Sequence, residues 1–271
     1  MTIENRKFYT IGQIDATGVR GPHEKELDDI SKAKYTSFMN VDLKTIEAIV
    51  NKDLGGKIEN IGFNEDWTIT MEMFPEVNIH MAYSYFGDEF GDGIEAEFKF
   101  YFTGKHVTWV PGEDSATYID IVMDFIERKL KGEEPFEKNY DIKSELMQKV
   151  LLQREAPFKI LQEKDREKLE NFVGAKVWKT INGWRIKREI FPEVFTEITW
   201  EKENGLDIKF YGERLTTNLG SYHAEFIGIF VLNHILRYIT VNNLEKELPD
   251  ICYIMFSRLY TKNQGWDHRT R

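Results

Sequence analysis

The twelve residues Asp66-Trp67-Thr68-Ile69-Thr70-Met71-Glu72-Met73-Phe74-Pro75-Glu76-Val77 return without a gap as Gly183-Trp184-Arg185-Ile186-Lys187-Arg188-Glu189-Ile190-Phe191-Pro192-Glu193-Val194. Seven of the twelve positions are identical. Upstream, Leu54-Gly55-Gly56-Lys57-Ile58 corresponds to Val173-Gly174-Ala175-Lys176-Val177, and downstream Glu97 to Tyr101 corresponds to Asp207 to Tyr211. Further on, Ser115 and Ser221 each open an apolar stretch, so the spacing falls from 119 to 106 residues along the repeat. Loops have changed length while elements stayed. The period is far longer than the roughly 20–50 residues of a solenoid unit, which points to one domain copied once.

Each copy reads in the same order. A helix, Leu43 to Leu54 or Glu163 to Val173, is closed by a glycine suited to a left-handed cap, Gly55 or Gly174. Short strands follow, and a second helix ends the unit. In copy one it covers Ser115 to Lys131, with Tyr118, Val122, Phe125 and Ile126 at helical spacing. In copy two it covers Ser221 to Ile239 and is apolar nearly all round, which predicts a central helix between or under the two sheets. The fold class expected is α+β: an internally duplicated unit of helix, four- to five-stranded antiparallel meander and helix, with two copies packed as a pseudo-two-fold pair. The charged, proline-containing stretch Lys131 to Lys143 reads as a linker, dividing the chain into residues 1–140 and 141–271. An extra strand is expected around Phe8 to Ile14 and a C-terminal helix over Leu248 to Tyr260.

Alternation fixes the register. Trp67, Ile69, Met71 and Met73 share one face, as do Val77, Ile79, Met81, Tyr83 and Tyr85. Pairing Met73 with Val77 brings the apolar sets together across a three-residue connection, Phe74-Pro75-Glu76; a two-residue turn would mix the faces. The same register in copy two pairs Ile190 with Val194, Arg188 with Thr196, Ile186 with Ile198 and Trp184 with Trp200. The recurring Phe-Pro-Glu-Val reads as a structural turn.

The opposite faces are polar. Copy one places Glu72, His80, Lys99 and Tyr101 there, and copy two Lys187, Glu189, Lys209 and Tyr211. Such faces are either solvated, with cross-strand ion pairs, or a duplicated surface for a ligand or partner. His80, Tyr101 and Glu72 could also converge around a general base. The acidic loop Gly87 to Glu95 offers Asp88 and Asp92 with Gly93 in a calcium-loop spacing, although Phe90 and Lys99 stand where ligands belong.

Other chemistries find little footing. The single cysteine, Cys252, excludes an internal disulfide and a cysteine-rich zinc site. His223 and His234 lie about 16 Å apart by helical rise and cannot share a metal. Phosphate-binding, dinucleotide, zinc-protease and serine-hydrolase motifs are missing, and no cofactor is expected. With Lys+Arg 36 against Asp+Glu 46, the charge of -10 makes nucleic acid an unlikely partner. The basic C-terminal tail around Trp266 reads as a solvated terminus. Phe226 to Ile239 is short for a bilayer and carries Asn233, His234 and Arg237. A cytoplasmic location is expected, with no membrane association.

The duplicated order of helix, meander and helix resembles the saddle of TATA-binding proteins in architecture, without a shared motif. Three functions follow as expectations. The first is a binding or scaffold protein engaging a protein partner or small ligand through a polar sheet face or between the copies, with homo-oligomerisation possible. The second is an enzyme, metal-assisted or using His80, with its site between the copies. The third is a nucleic-acid-binding saddle that would use Arg185, Lys187 and Lys209.

Overall fold

The computed structural model describes residues 6–15, 21–87, 91 and 95–266. Asp88 and Asp92, proposed above as metal ligands, lie outside the described residues, as does the tail beyond Trp266. The chain divides into two compact units, residues 1–133 with 257–259, and residues 134–256 with 260–271.

The first unit is α+β. Its antiparallel sheet has the order β1 (Lys57–Glu59), β2 (Trp67–Phe74), β3 (Val77–Tyr85), β4 (Ala96–Thr103). Its helices are α1 (Ile11–Asp15), α2 (Pro22–Phe38), α3 (Leu43–Ile49) with a π-helical turn at Val50–Leu54, and α4 (Gly112–Lys131). Gly55 closes the π turn at φ 68°. Ile69, Met71, Ile79, Met81, Phe98 and Phe102 form the core face, and Tyr118, Val122, Phe125 and Ile126 of α4 are buried as the spacing required. Acids in the first turn of α4 and bases in its last suit the helix dipole.

The second unit repeats the sheet pattern with β5 (Lys176–Lys179), β6 (Gly183–Phe191), β7 (Val194–Glu201) and β8 (Gly205–Tyr211). Around it lie α5 (Glu145–Arg154), α6 (Arg166–Val173, closed by Gly174 at φ 67°), α7 (Leu215–Asn218), α8 (Ser221–Val241) and α9 (Ile251–Ile254). A last helix, α10, runs over Arg258–Gln264. Gly228 lets α8 lie close on the sheet: a Cβ there would sit 2.5 Å from Ile208 and 2.7 Å from Phe210. At 21 residues α8 is longer than the apolar run suggested, and its length and composition would suffice to cross a membrane. Yet 89% of its most apolar window is buried inside the protein, including Asn233, His234 and Arg237. Arg154 Nε donates to Asn233 (2.8 Å) and Arg237 Nε to the Met255 carbonyl (2.5 Å).

The hairpins refine the expected register. Met71 faces Ile79, Arg188 faces Thr196, Ile186 faces Ile198 and Trp184 faces Trp200, as alternation required. The connection, however, has two residues, because Phe74 pairs with Val77 and Phe191 with Val194. A bulge at Met73 and at Ile190 absorbs the extra residue and keeps the faces unmixed. Both turns hold a glutamate in the left-handed region, Glu76 at φ 64° and Glu193 at φ 63°. Each packs on a glycine beyond the last strand: a Cβ on Gly104 or Gly212 would come within 2.1 or 2.0 Å of the Glu76 or Glu193 carbonyl oxygen.

Three further expectations change. The N-terminal strand shrinks to one bridge, Tyr9 with Phe102, because Ile11 already begins α1. The C-terminal helix is two short ones interrupted before Arg258. Helices α2 and α5 were not anticipated at all.

Candidate functional site

The middle of the first sheet's polar face is covered rather than solvated. Thr68, Thr70, His80 and Thr103 are buried, His80 with 1% of its surface exposed. Residues Arg6 to Tyr9 cross this face as a strap. Arg6 makes a two-pronged contact with Glu59 (2.8 and 3.3 Å), and Tyr9 exchanges backbone hydrogen bonds with Phe102 (2.9 Å each). Phe8 meets Phe63 at 5.1 Å, His80 at 5.3 Å and Tyr101 at 6.2 Å between ring centroids. Phe63 is brought in by the loop before β2, where the Glu65 carboxylate accepts the backbone N–H groups of Ile61, Gly62 (3.3 Å) and Phe63 (2.7 Å).

Beneath the strap the hydrogen bonds form an ordered chain. Thr70 Oγ1 donates to Glu59 (2.7 Å) and lies 2.8 Å from His80 Nδ1; Thr103 Oγ1 lies 2.7 Å from His80 Nε2. An ionised Glu59 only accepts, so Thr70 donates its hydroxyl hydrogen bond to it, His80 donates from Nδ1 to Thr70, and Nε2 accepts from Thr103. Burial pulls the His80 pKa down to about 4, with the nearby charge of Glu59 opposing. Burial alone would raise Glu59; hydrogen bonds from Arg6, Lys57 and Thr70 outweigh it and hold the carboxyl at about 2. The acid that reaches His80 is Glu59, 3.8 Å away. Glu72 stays exposed, opposite Asn78. With both ring nitrogens bonded inside the protein, His80 supports the strap and the sheet.

The second sheet leaves its polar face open. Lys187 Nζ sits 4.1 Å from the centre of the Phe195 ring and 5.1 Å from that of Tyr211. Glu197 receives Arg185 (3.6 Å) and the Tyr211 hydroxyl (3.3 Å). Glu189 accepts the Glu193 N–H (2.9 Å), a local turn contact. Lys209 is exposed, Tyr211 is 37% exposed and Trp178 is 44% exposed. Arg185 and Glu197 answer one another, while Lys187 lies over the two rings.

A concave site lies instead at the edge of the first sheet: a groove of about 530 Å³ between β4 and α2, closed at one end by Thr10 and Ile11. Its floor is apolar, from Leu27, Phe98 and Phe100, and its rims carry Glu24, Asp28, Lys32 and Tyr35 on α2 and Glu97, Lys99 and Tyr101 on β4. Of the residues singled out from sequence, Lys99 and Tyr101 belong to it. Lys99 pairs with Glu97 (2.6 Å), which raises the lysine pKa. The α2 residues escaped sequence reading because that helix was not recognised. Pro22 at its first turn, Glu24 behind it and Leu27, Ile30, Ser31 and Phe38 on one side were the signal.

Among the described residues no group of three or more His, Cys, Asp or Glu side chains is placed to hold a metal ion. Cys252 is buried, its thiol pushed up to about 11 by that burial. Comparison with protein-family models, with curated proteins and with solved structures finds no match to this chain.

Proposed function

We propose that this chain is a binding protein that takes a small ligand, or a side chain of a protein partner, in the groove between α2 and β4. The carrying observation is the groove itself: an apolar floor ringed by a few charged and hydroxyl groups, in the volume range of small-molecule sites. The two halves of the chain descend from one duplicated α+β unit, divided near residue 140. Supporting this are the seven shared residues of the core hairpin, the equal strand orders and bulges, and the left-handed glutamates over Gly104 and Gly212. The proposed setting is cytoplasmic, where an acidic surface keeps the protein soluble and away from nucleic acid.

The test is a titration of isotopically labelled protein with a mixture of small amphipathic amides and amines, read by amide NMR. Shifts concentrated at Leu27, Ser31, Phe98 and Phe100 support the groove. Shifts centred on Lys187, Tyr211 and Trp178 transfer the role to the second sheet's face, and an unmoved spectrum ends the proposal.

A further inference from the structure

Strand alternation turns the backbone groups of Phe98, Phe100 and Phe102 toward the free side of β4, since each strand residue presents N–H and C=O to the same neighbour. Phe102 is satisfied there by Tyr9 (2.9 Å each way), and the Phe98 N–H by Ser31 Oγ (2.8 Å). Between them the strap leaves the edge. The Thr10 carbonyl accepts Gln13 N–H (3.1 Å) and Ile14 N–H (3.2 Å), and Gln13 Oε1 accepts the Thr10 N–H (2.8 Å). These bonds start α1 and swing the chain away just where residue 11 would have faced Phe100. Phe100 therefore points a donor and an acceptor into the groove while only 8% of its surface is exposed. Peptide groups so placed favour a ligand that pairs with both.

We infer that the groove's ligand is a short peptide that sets one extended apolar residue antiparallel to Phe100, an inference that rests on the groove being the binding site. The register of Tyr9 with Phe102 continues by two residues to this position, with room for a single residue before Ser31 closes the edge. A residue opposite Phe100 directs its side chain to the same side as the Phe100 ring, against Leu27. Its neighbours turn their side chains to the opposite face of the strand, the side of Lys99 and Tyr101. Recognition is by backbone pairing plus one apolar pocket, the edge-strand mode shortened to one residue.

The probe is an acetylated, amidated Ala-Leu-Ala tripeptide, titrated into the full chain, beside the same peptide N-methylated at leucine and an Ala-Asp-Ala version. The expected result is a shift and slowed hydrogen exchange at the Phe100 amide, with the N-methylated and aspartate peptides each binding about tenfold or more weakly. Equal binding of the N-methylated peptide, or a Phe100 amide that does not respond, overturns the inference. If small amides and amines reach the groove but the tripeptide does not, this inference falls and the groove survives; if neither binds there, both fall.

Discussion

At Thr70 the first sheet carries a short hydroxyl with 5% of its surface exposed, bonded to Glu59 and His80. At Lys187, the same place in the second sheet's register, an ammonium lies over Phe195 and Tyr211. The contrast runs across both faces: Thr68, His80 and Ala82 stand where Arg185, Glu197 and Thr199 stand in the other sheet. Short, neutral groups allow a strap to lie on the sheet with every polar atom satisfied. Long charged side chains hold a covering segment off and carry their own heads to water. Sheet order and hairpin register are thus compatible with opposite uses of the polar face, and side-chain length decides which use is realised.

Exchanging those residues gives the largest expected effect. Thr70→Lys puts a charge beneath the strap and removes the hydroxyl that links Glu59 to His80. It is expected to destabilise the first unit by about 3 kcal/mol or more, because an uncompensated buried charge costs about that much. The reverse change, Lys187→Thr, removes a partly exposed cation and is expected to stay within about 0.5 kcal/mol. Residue-resolved hydrogen exchange in each unit checks both. A mild Thr70→Lys would mean that the strap is not a buried lid over this face.

Acid separates the faces next. His80 has a folded-state pKa of about 4 against an ordinary 6.5, so between these values the unfolded chain binds the extra proton. Stability of the first unit therefore falls as pH drops from 6.5 toward 4, by up to about 3 kcal/mol. Glu59, depressed from 4.5 to about 2, adds a second loss that begins near 4.5 and continues as pH falls toward 2. The second sheet has Glu197 in place of the histidine. Denaturation of the first unit followed from pH 7 to 4 should lose much of its slope in His80→Gln, the remainder belonging to His106, whose pKa burial also lowers; a slope undiminished there would place the acid sensitivity elsewhere.

Much of the scaffold was legible in the sequence, because strand alternation and recurrence are periodic signals. Four predicted cross-strand pairs, Met71 with Ile79 and three in the second hairpin, occur as read. The bulges were hidden because one extra residue next to a turn leaves the alternation beyond it intact. The covering of the first face was written in Thr68, Thr70 and Ala82, yet a lone sheet face cannot tell burial under a strap from solvation. Of the candidate site only Lys99 and Tyr101 were legible. Leu27, Ser31 and Phe100 come together through α2, and Phe100 contributes backbone groups, which no side-chain pattern announces.

The smallest expected effect lies at the turns, where the two units agree most closely. Glu76 and Glu193 both hold positive φ, which costs an L-residue about 1–2 kcal/mol. Glycine relieves that strain but loses about 0.5–1 kcal/mol to the added freedom of the unfolded chain. Glu76→Gly should therefore stabilise its unit by about 0.5 kcal/mol. Glu193 also receives Arg214 at 3.1 Å, a surface pair worth roughly 0.2–1 kcal/mol, so the gain from Glu193→Gly should shrink to near zero. Adding Arg214→Ala to both the parent and the Glu193→Gly variant separates the two causes. In the Arg214→Ala background the glycine should regain the full benefit seen at Glu76. If it does not, the two turns differ in backbone strain as well as in their side-chain partners.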